Sequence, residues 1–128
     1  MQKEKIIKTL NSALASLDDA IELHAKGNED KVIQLTWKAS SDLEYALFLF
    51  LLEYPQENRK SSRKLSSKQP EIESILISTR DTLKEASKNI DADELNEAQK
   101  KTWIAKDQLL RIHDFFEKKG RKNRKLYH

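Results

Sequence analysis

The stretch VIQLTWKASSDLEYALFLFLLEY at residues 32–54 decides the fold, because its pattern returns at residues 97–120. The tetrapeptide TWKA at 36–39 reappears as TWIA at 102–105, and we call this shift along the chain, from position 36 to position 102, the repeat offset. The same offset relates the segments that precede both stretches. The matched apolar pairs are Ile6 and Ile72, Leu10 and Leu76, Leu17 and Leu83, Ala20 and Ala86, Leu43 and Leu109, and Phe50 and Phe116. The sequence therefore predicts a duplicated helical hairpin.

Within each half, apolar residues recur at steps of three and four, which is the spacing of an α-helix with one buried face. Short connections inside each hairpin favour antiparallel neighbours, so the sequence predicts an all-α, antiparallel four-helix bundle. The predicted single domain covers residues 1–120, with hairpins at about 3–54 and 70–120, a basic linker at 55–69 and a basic disordered tail at 121–128. The alternative is that the hairpins open out and complete their cores in a dimer.

Turn-forming residues mark the predicted helix ends. Gly27 is expected to end helix 1 and Asn28 to cap helix 2, because glycine tolerates a positive φ and asparagine caps N-termini well. Pro55 ends helix 2. The run at 91–94 resembles a capping box for helix 4, which is expected to stop near Gly120.

Composition limits the class of protein. The chain has 128 residues, no cysteine and 35% charged residues, which suits long helices and excludes disulfides and thiolate chemistry. The start lacks the apolar core of a signal peptide, and the apolar run at 46–52 is too short to be a transmembrane segment. We therefore predict a cytoplasmic protein.

The positive charge is concentrated in three segments. Residues 55–69 carry a net charge of +4, residues 118–128 carry +6 and residues 1–8 carry +2. In an up-down-up-down bundle these segments share one end, so a basic end is predicted that binds a polyanion, with nucleic acid as the expected partner. Anionic lipid is one alternative, and a solvated tail without a partner is another. The predicted polyanion-binding residues are Arg59, Lys60, Arg63, Lys64, Lys118, Lys119, Arg121, Lys122, Arg124 and Lys125.

Helix 2 carries a second apolar face opposite its buried one. At 100° per residue this face holds Tyr45, Phe48, Leu49 and Leu52, whereas the matching positions of helix 4 are mostly polar. A monomer rarely leaves such a patch in water, so we predict a homodimer formed by helix 2. The alternative is that the linker or the tail folds back over the patch.

No motif indicates catalysis. Neither His24 nor His113 has the glutamate at i−3 that di-iron bundles use, and no glycine-rich phosphate loop is present. Trp37 and Trp103 are interpreted as anchors in the core or at its edge. The sequence predicts no cofactor, no metal and no small-molecule substrate. The predicted function is a non-enzymatic binding or adaptor protein that contacts nucleic acid; the alternative is a protein–protein scaffold or homodimer without a nucleic-acid role. An enzyme with a site inside the bundle is a further alternative.

Overall fold

Four α-helices make up the part of the chain that the structure, a computed structural model, describes: residues 2–53 and 71–126, with side chains at 3–53 and 71–119. The helices are α1 (Gln2–Ala25), α2 (Glu29–Glu53), α3 (Ile72–Asp91) and α4 (Leu95–Leu126). These ranges contain no strand, so the predicted all-α class is confirmed. The predicted linker at 55–69 lies outside the described residues.

The helices pack as a bundle in which each touches two others. α1 packs against α2 and α3, and α4 packs against α3 and α2, so α1 and α4 lie diagonally opposite each other. Two ion pairs fix the directions: Lys3 Nζ lies 2.9 Å from Asp93 Oδ1, and Lys119 Nζ lies 3.0 Å from Glu29 Oε2. Each pair of packed neighbours is therefore antiparallel, and the two diagonal pairs are parallel.

The order of the helices around the bundle differs from the predicted one. The start of α1 lies beside the α3–α4 turn, while Lys119 near the end of α4 lies beside the α1–α2 turn. Ile72, at the start of α3, lines one cleft together with Gly27 and Lys119. The expectation that the N-terminus and the C-terminal segment share one end is therefore wrong. It assumed that α3 returns beside α2, whereas α3 packs beside α1.

The two turns inside the hairpins have the same backbone structure at equivalent positions of the repeat. Gly27 and its counterpart Asp93 both have a positive φ, in the left-handed conformation that ends many helices. The equivalent long hydrogen bonds run from the Asn28 N–H to the Leu23 carbonyl (2.9 Å) and from the Glu94 N–H to the Asn89 carbonyl (2.7 Å). Both turns are therefore Schellman motifs, and each hairpin places its helices in the same way.

Two predicted helix ends need correction. Residues 91–94 do not form a capping box, because Asp93 adopts the left-handed conformation of a helix C-terminus. α4 does not stop at Gly120 but continues to Leu126, so most of the predicted disordered tail is helical. A lone glycine costs a helix only about 1 kcal/mol relative to alanine, and the surrounding Glu, Lys and Arg residues are good helix formers. The cap on α2 is confirmed, since the Lys31 N–H donates to Asn28 Oδ1 at 3.5 Å.

The core is built from the matched positions of the two repeats. Leu43 and Leu109 are fully buried at equivalent places, as predicted. Buried threonines satisfy their hydroxyls within their own helices: Thr36 Oγ1 donates to the Ile33 carbonyl at 2.8 Å, and Thr102 Oγ1 donates to the Ala98 carbonyl at 2.8 Å. The other fully buried large apolar side chains are Ile6, Leu10, Leu17, Val32, Phe50, Leu76, Leu83, Ile90 and Ile112.

Candidate functional site

Five large apolar side chains are exposed on the side of α2 that faces away from the core. Trp37 and Leu52 are each 57% exposed, Phe48 54%, Tyr45 50% and Leu51 45%. At 100° per residue four of them lie roughly opposite the fully buried Phe50, and Leu51 lies about 100° from it, at the edge of the same sector. We call these five residues the α2 outer face. It is an apolar surface in a position that a surface helix usually fills with charge.

Leu49 does not belong to this surface, and its assignment to the interface is wrong. It is only 3% exposed and forms part of the core. The reason is its angle, which is 100° from that of Phe48 and on the side of α2 that packs on α1. Asp42, two turns earlier on the same line, accepts a hydrogen bond from Ser12 of α1 at 2.8 Å. Tyr45, Phe48 and Leu52 are exposed as predicted.

The equivalent side of α4 is polar. The α4 positions that match Phe48, Leu51 and Leu52 at the repeat offset are exposed, and the position that matches Tyr45 is half-buried. They hold Arg111 for Tyr45, Asp114 for Phe48, Glu117 for Leu51 and Lys118 for Leu52. α2 and α4 are each the second helix of a hairpin, yet these positions are apolar on α2 and charged on α4. The fold itself therefore does not require apolar residues at these positions of the α2 outer face.

Trp37 forms the edge of this surface next to α4. Its indole stacks on the imidazole of His113, with ring centroids 3.9 Å apart and planes 10° from parallel. His113 is 6% exposed, and neither ring nitrogen makes a hydrogen bond to a described residue. Burial lowers the pKa of His113, and the nearby Thr36 carbonyl and Asp114 carboxylate only partly oppose that effect. Burial therefore favours the neutral form of the ring.

Ion pairs flank this stack on both sides along the seam between α2 and α4. Lys106 Nζ lies 3.5 Å from Glu44 Oε1, and Lys119 Nζ lies 3.0 Å from Glu29 Oε2. Lys106 Nζ also lies 5.3 Å from the centre of the Trp103 ring. The seam is thus an aromatic stack between two cross-helix ion pairs, with the α2 outer face beside it.

The predicted polyanion-binding residues are only partly described. Lys118 and Lys119 are exposed on α4, and Lys119 is engaged by Glu29. Lys3 is at the other end of the bundle, paired with Asp93. The side chains outside the described residues are Arg59, Lys60, Arg63, Lys64, Arg121, Lys122, Arg124 and Lys125. Polyanion binding by this set stays a prediction, without the single basic end from which it was argued.

Comparison of the chain with protein-family models, with curated proteins and with solved structures finds no match. Within residues 2–53 and 71–126, no three histidine or acidic side chains converge where a metal ion could bind. None of the helices in these ranges is long and apolar enough to cross a membrane. The α2 outer face and its seam with α4 are therefore the features on which a function can be argued.

Proposed function

We propose that this protein is a non-enzymatic association module, and that its α2 outer face binds a second copy of the chain. The observation that carries the proposal is the contrast between the two hairpins. Three aromatic residues and two leucines are half-exposed on α2, while the equivalent α4 positions for Tyr45, Phe48, Leu51 and Leu52 are charged. Since the same backbone is stable with charged residues there, the apolar ones serve something other than the fold.

The size of the surface fits a small homodimer. Three aromatic side chains, each about half exposed, contribute roughly 300 Å² in all. With Leu51 and Leu52 the patch approaches about 500 Å², which is near the upper end of what a monomer exposes. Two such faces in contact bury on the order of 1,000 Å², at the lower limit for a specific interface. The expected dimer is therefore weak to moderate in affinity.

The pattern of charge on α2 also suits pairing with a copy of itself. The five residues of the α2 outer face carry no charge, and Glu44 beside them is engaged by Lys106 of α4. Two such faces can therefore meet without bringing unpaired carboxylates together. An isologous contact of this kind closes after two copies, so it gives a dimer and not a filament.

Sedimentation equilibrium on two proteins tests the dimer. The wild-type chain should form dimers at micromolar concentration, and Phe48→Asp/Leu52→Lys should be monomeric with unchanged helical circular dichroism. These substitutions copy the residues that α4 carries at the same positions, Asp114 and Lys118. The matched control is Asp114→Asn/Lys118→Gln, which should leave the dimer intact. A wild type that stays monomeric at high micromolar concentration refutes the proposal, and a variant that unfolds would show that the surface is internal core.

Nucleic-acid binding is the second candidate function, and one observation favours it. α4 continues as a helix to Leu126, past Lys119, which lies level with the start of α2. Residues 118–125 contain six Lys and Arg and no acidic residue. A helix of this charge that extends beyond the bundle can displace counterions from a phosphate backbone without reading sequence. It ranks second because the basic N-terminal residues lie at the opposite end.

Salt dependence tests this candidate. Deleting residues 121–128 removes four Lys and Arg, so the slope of log affinity against log salt should flatten. The control is Lys5→Gln/Lys8→Gln, which removes two exposed lysines near the other end and should change the slope little. If the deletion leaves the slope unchanged, or if the intact protein ignores DNA and RNA at low salt, this function is excluded.

Two further statements remain proposals. We infer that the hairpins arose by duplication, which the shared offset of the apolar positions and of the turn hydrogen bonds supports. The cytoplasmic location, like the absence of a cofactor or small-molecule substrate, stays a prediction from the sequence.

A further inference from the structure

The place that His113 occupies does not require an imidazole. Its counterpart in the first hairpin is Leu47, which is 3% exposed and contributes to the core of the same bundle. The two hairpins therefore use one site for a leucine and for a histidine. In the second hairpin neither ring nitrogen makes a hydrogen bond to a described residue within ordinary geometric limits, and the Thr36 carbonyl is the acceptor that lies near the ring. A titratable group has been placed where an apolar one suffices.

Trp37 is the cover over this ring. One face of the indole lies on His113, while 57% of the Trp37 side-chain and backbone surface is open to solvent. The indole can swing outward by rotation about its own side-chain bonds, without moving α2 or opening the core. Such a motion brings water to His113, which is otherwise 6% exposed.

The charged groups around the seam do not provide a partner for a protonated His113. On α2 the neighbouring carboxylates are Glu29 and Glu44, and lysines of α4 engage both. On α4 itself the carboxylates within about one turn are Asp114 and Glu117, both exposed, and the half-buried Arg111 is a nearby cation. α3 meets α4 on its other side through a neutral hydrogen bond from Thr79 to the Gln108 amide (3.0 Å), and α1 is diagonally opposite.

The backbone does not supply that partner in full either. The Thr36 carbonyl of α2 lies near the imidazole and favours its charged form, but neither ring nitrogen makes a hydrogen bond in the stacked arrangement. One carbonyl can also serve only one of the two N–H donors of a charged ring. A protonated His113 therefore needs water.

We propose that protonation of His113 displaces the Trp37 indole from the seam, so that the α2 outer face loses its Trp37 edge in acid. The stacked arrangement offers the cation some attraction to the indole, but it leaves the N–H groups unsolvated. Swinging Trp37 outward hydrates them and leaves the remaining contacts of the seam in place. The consequence for association rests on the proposed dimer: its dissociation constant should rise in the pH range in which His113 titrates.

Proton NMR of the histidine rings tests the displacement directly. At pH 8 the ring protons of His113 should be shifted upfield by the ring current of Trp37, and the assignment is made by their loss in His113→Leu. On acidification His113 should titrate with a midpoint below about 6.5, the ordinary value for histidine. The upfield shift should disappear over the same range. A ring current that persists in the protonated form overturns the proposal, and so does titration at or above the ordinary value.

Fluorescence and sedimentation give independent readouts. In a Trp103→Phe background the emission of Trp37 should change at the His113 midpoint, and adding His113→Leu should abolish the change. The dimer dissociation constant should rise about tenfold or more between pH 7.5 and pH 5 in the wild type and stay level in His113→Leu. If the protein is monomeric at both pH values, the proposed dimer fails, while the ring-current experiment still decides whether Trp37 moves.

Discussion

Replacing His113 by leucine should stabilise the protein, which is unusual for a change at a buried site. The equivalent Leu47 is buried in the first hairpin, so a leucine of this orientation fits the bundle. The substitution removes a ring whose two nitrogens have no hydrogen bond among the described residues. It also removes the stack on Trp37. The sign of the effect depends on which loss is larger.

The magnitudes favour stabilisation. Burying a polar group without a hydrogen bond costs about 1–3 kcal/mol in proteins. Losing an aromatic pair costs about 0.5–1.5 kcal/mol. At neutral pH the free energy of unfolding of His113→Leu should therefore exceed that of the wild type by about 1 kcal/mol.

The gain should grow in acid. Burial holds the pKa of His113 below its unfolded value near 6.5, so the unfolded chain takes up the proton first. The wild type consequently loses stability as the pH falls below about 6.5, and the loss levels off below the folded pKa. Each pH unit is worth at most about 1.4 kcal/mol, which sets a ceiling of about 2 kcal/mol at pH 5. Displacement of Trp37 keeps the loss under that ceiling, because it hydrates the charged ring.

Urea denaturation of both proteins between pH 8 and pH 5 measures the difference. All other titrating groups are shared, so their contributions largely cancel in the difference between wild type and variant. The expected result is a gap of about 1 kcal/mol at pH 8 that widens below about pH 6.5. A gap that stays constant across this range refutes the reasoning that His113 is held neutral. A variant that is less stable at pH 8 shows that the stack outweighs the desolvation of the ring.

Two other substitution pairs test the bundle. Leu43→Ala and Leu109→Ala should each lower the free energy of unfolding by about 2–5 kcal/mol, whereas Leu51→Ala on the exposed face should cost under about 1 kcal/mol in the monomer. A loss below about 1 kcal/mol for either buried leucine would place it outside the core. Gly27→Ala should cost about 1 kcal/mol in a thermal melt, entirely from its positive φ, since an added Cβ meets nothing within 4 Å. Asp93→Gly should gain less than about 1 kcal/mol for the same reason, because it also removes the exposed ion pair with Lys3. Equal melts for Gly27→Ala and wild type would contradict the expectation for the positive φ.

Helical periodicity was enough to predict the helices and most of the core. A residue that lies three or four positions from its apolar neighbours falls on the buried face of its helix, whichever helix packs against that face. Leu43 and Leu109 illustrate this. The arrangement of the two hairpins was not predictable in the same way. The repeat offset describes each hairpin separately, and it does not say whether α3 lies beside α1 or beside α2. That choice depends on how the inner faces of the two hairpins fit together, which the repeat does not describe. The expectation that both ends of the chain share one basic end of the bundle is wrong for this reason.

The candidate site shows the same division. Tyr45, Phe48 and Leu52 are exposed because they lie opposite the buried face of α2, and the spacing of apolar residues in the sequence reveals this. Leu49 lies between the two faces, and only the position of α1 decides that it is buried. The stack of Trp37 on His113 joins residues of different hairpins that the repeat does not relate. Contacts of this kind follow from the packing of α2 on α4 and leave no periodic signal.

The comparison between the hairpins indicates where a function should be sought. The two hairpins hold the same residue type at several buried positions, as Thr36 and Thr102 show. The hairpins differ most at outward positions. Four of the five residues of the α2 outer face match charged residues of α4, and at the edge of that face His113 stands where the first hairpin has Leu47. An apolar surface thus lies beside a buried titratable group, and the backbone arrangement that the two hairpins share requires neither of them. The stability of the bundle does not account for this combination.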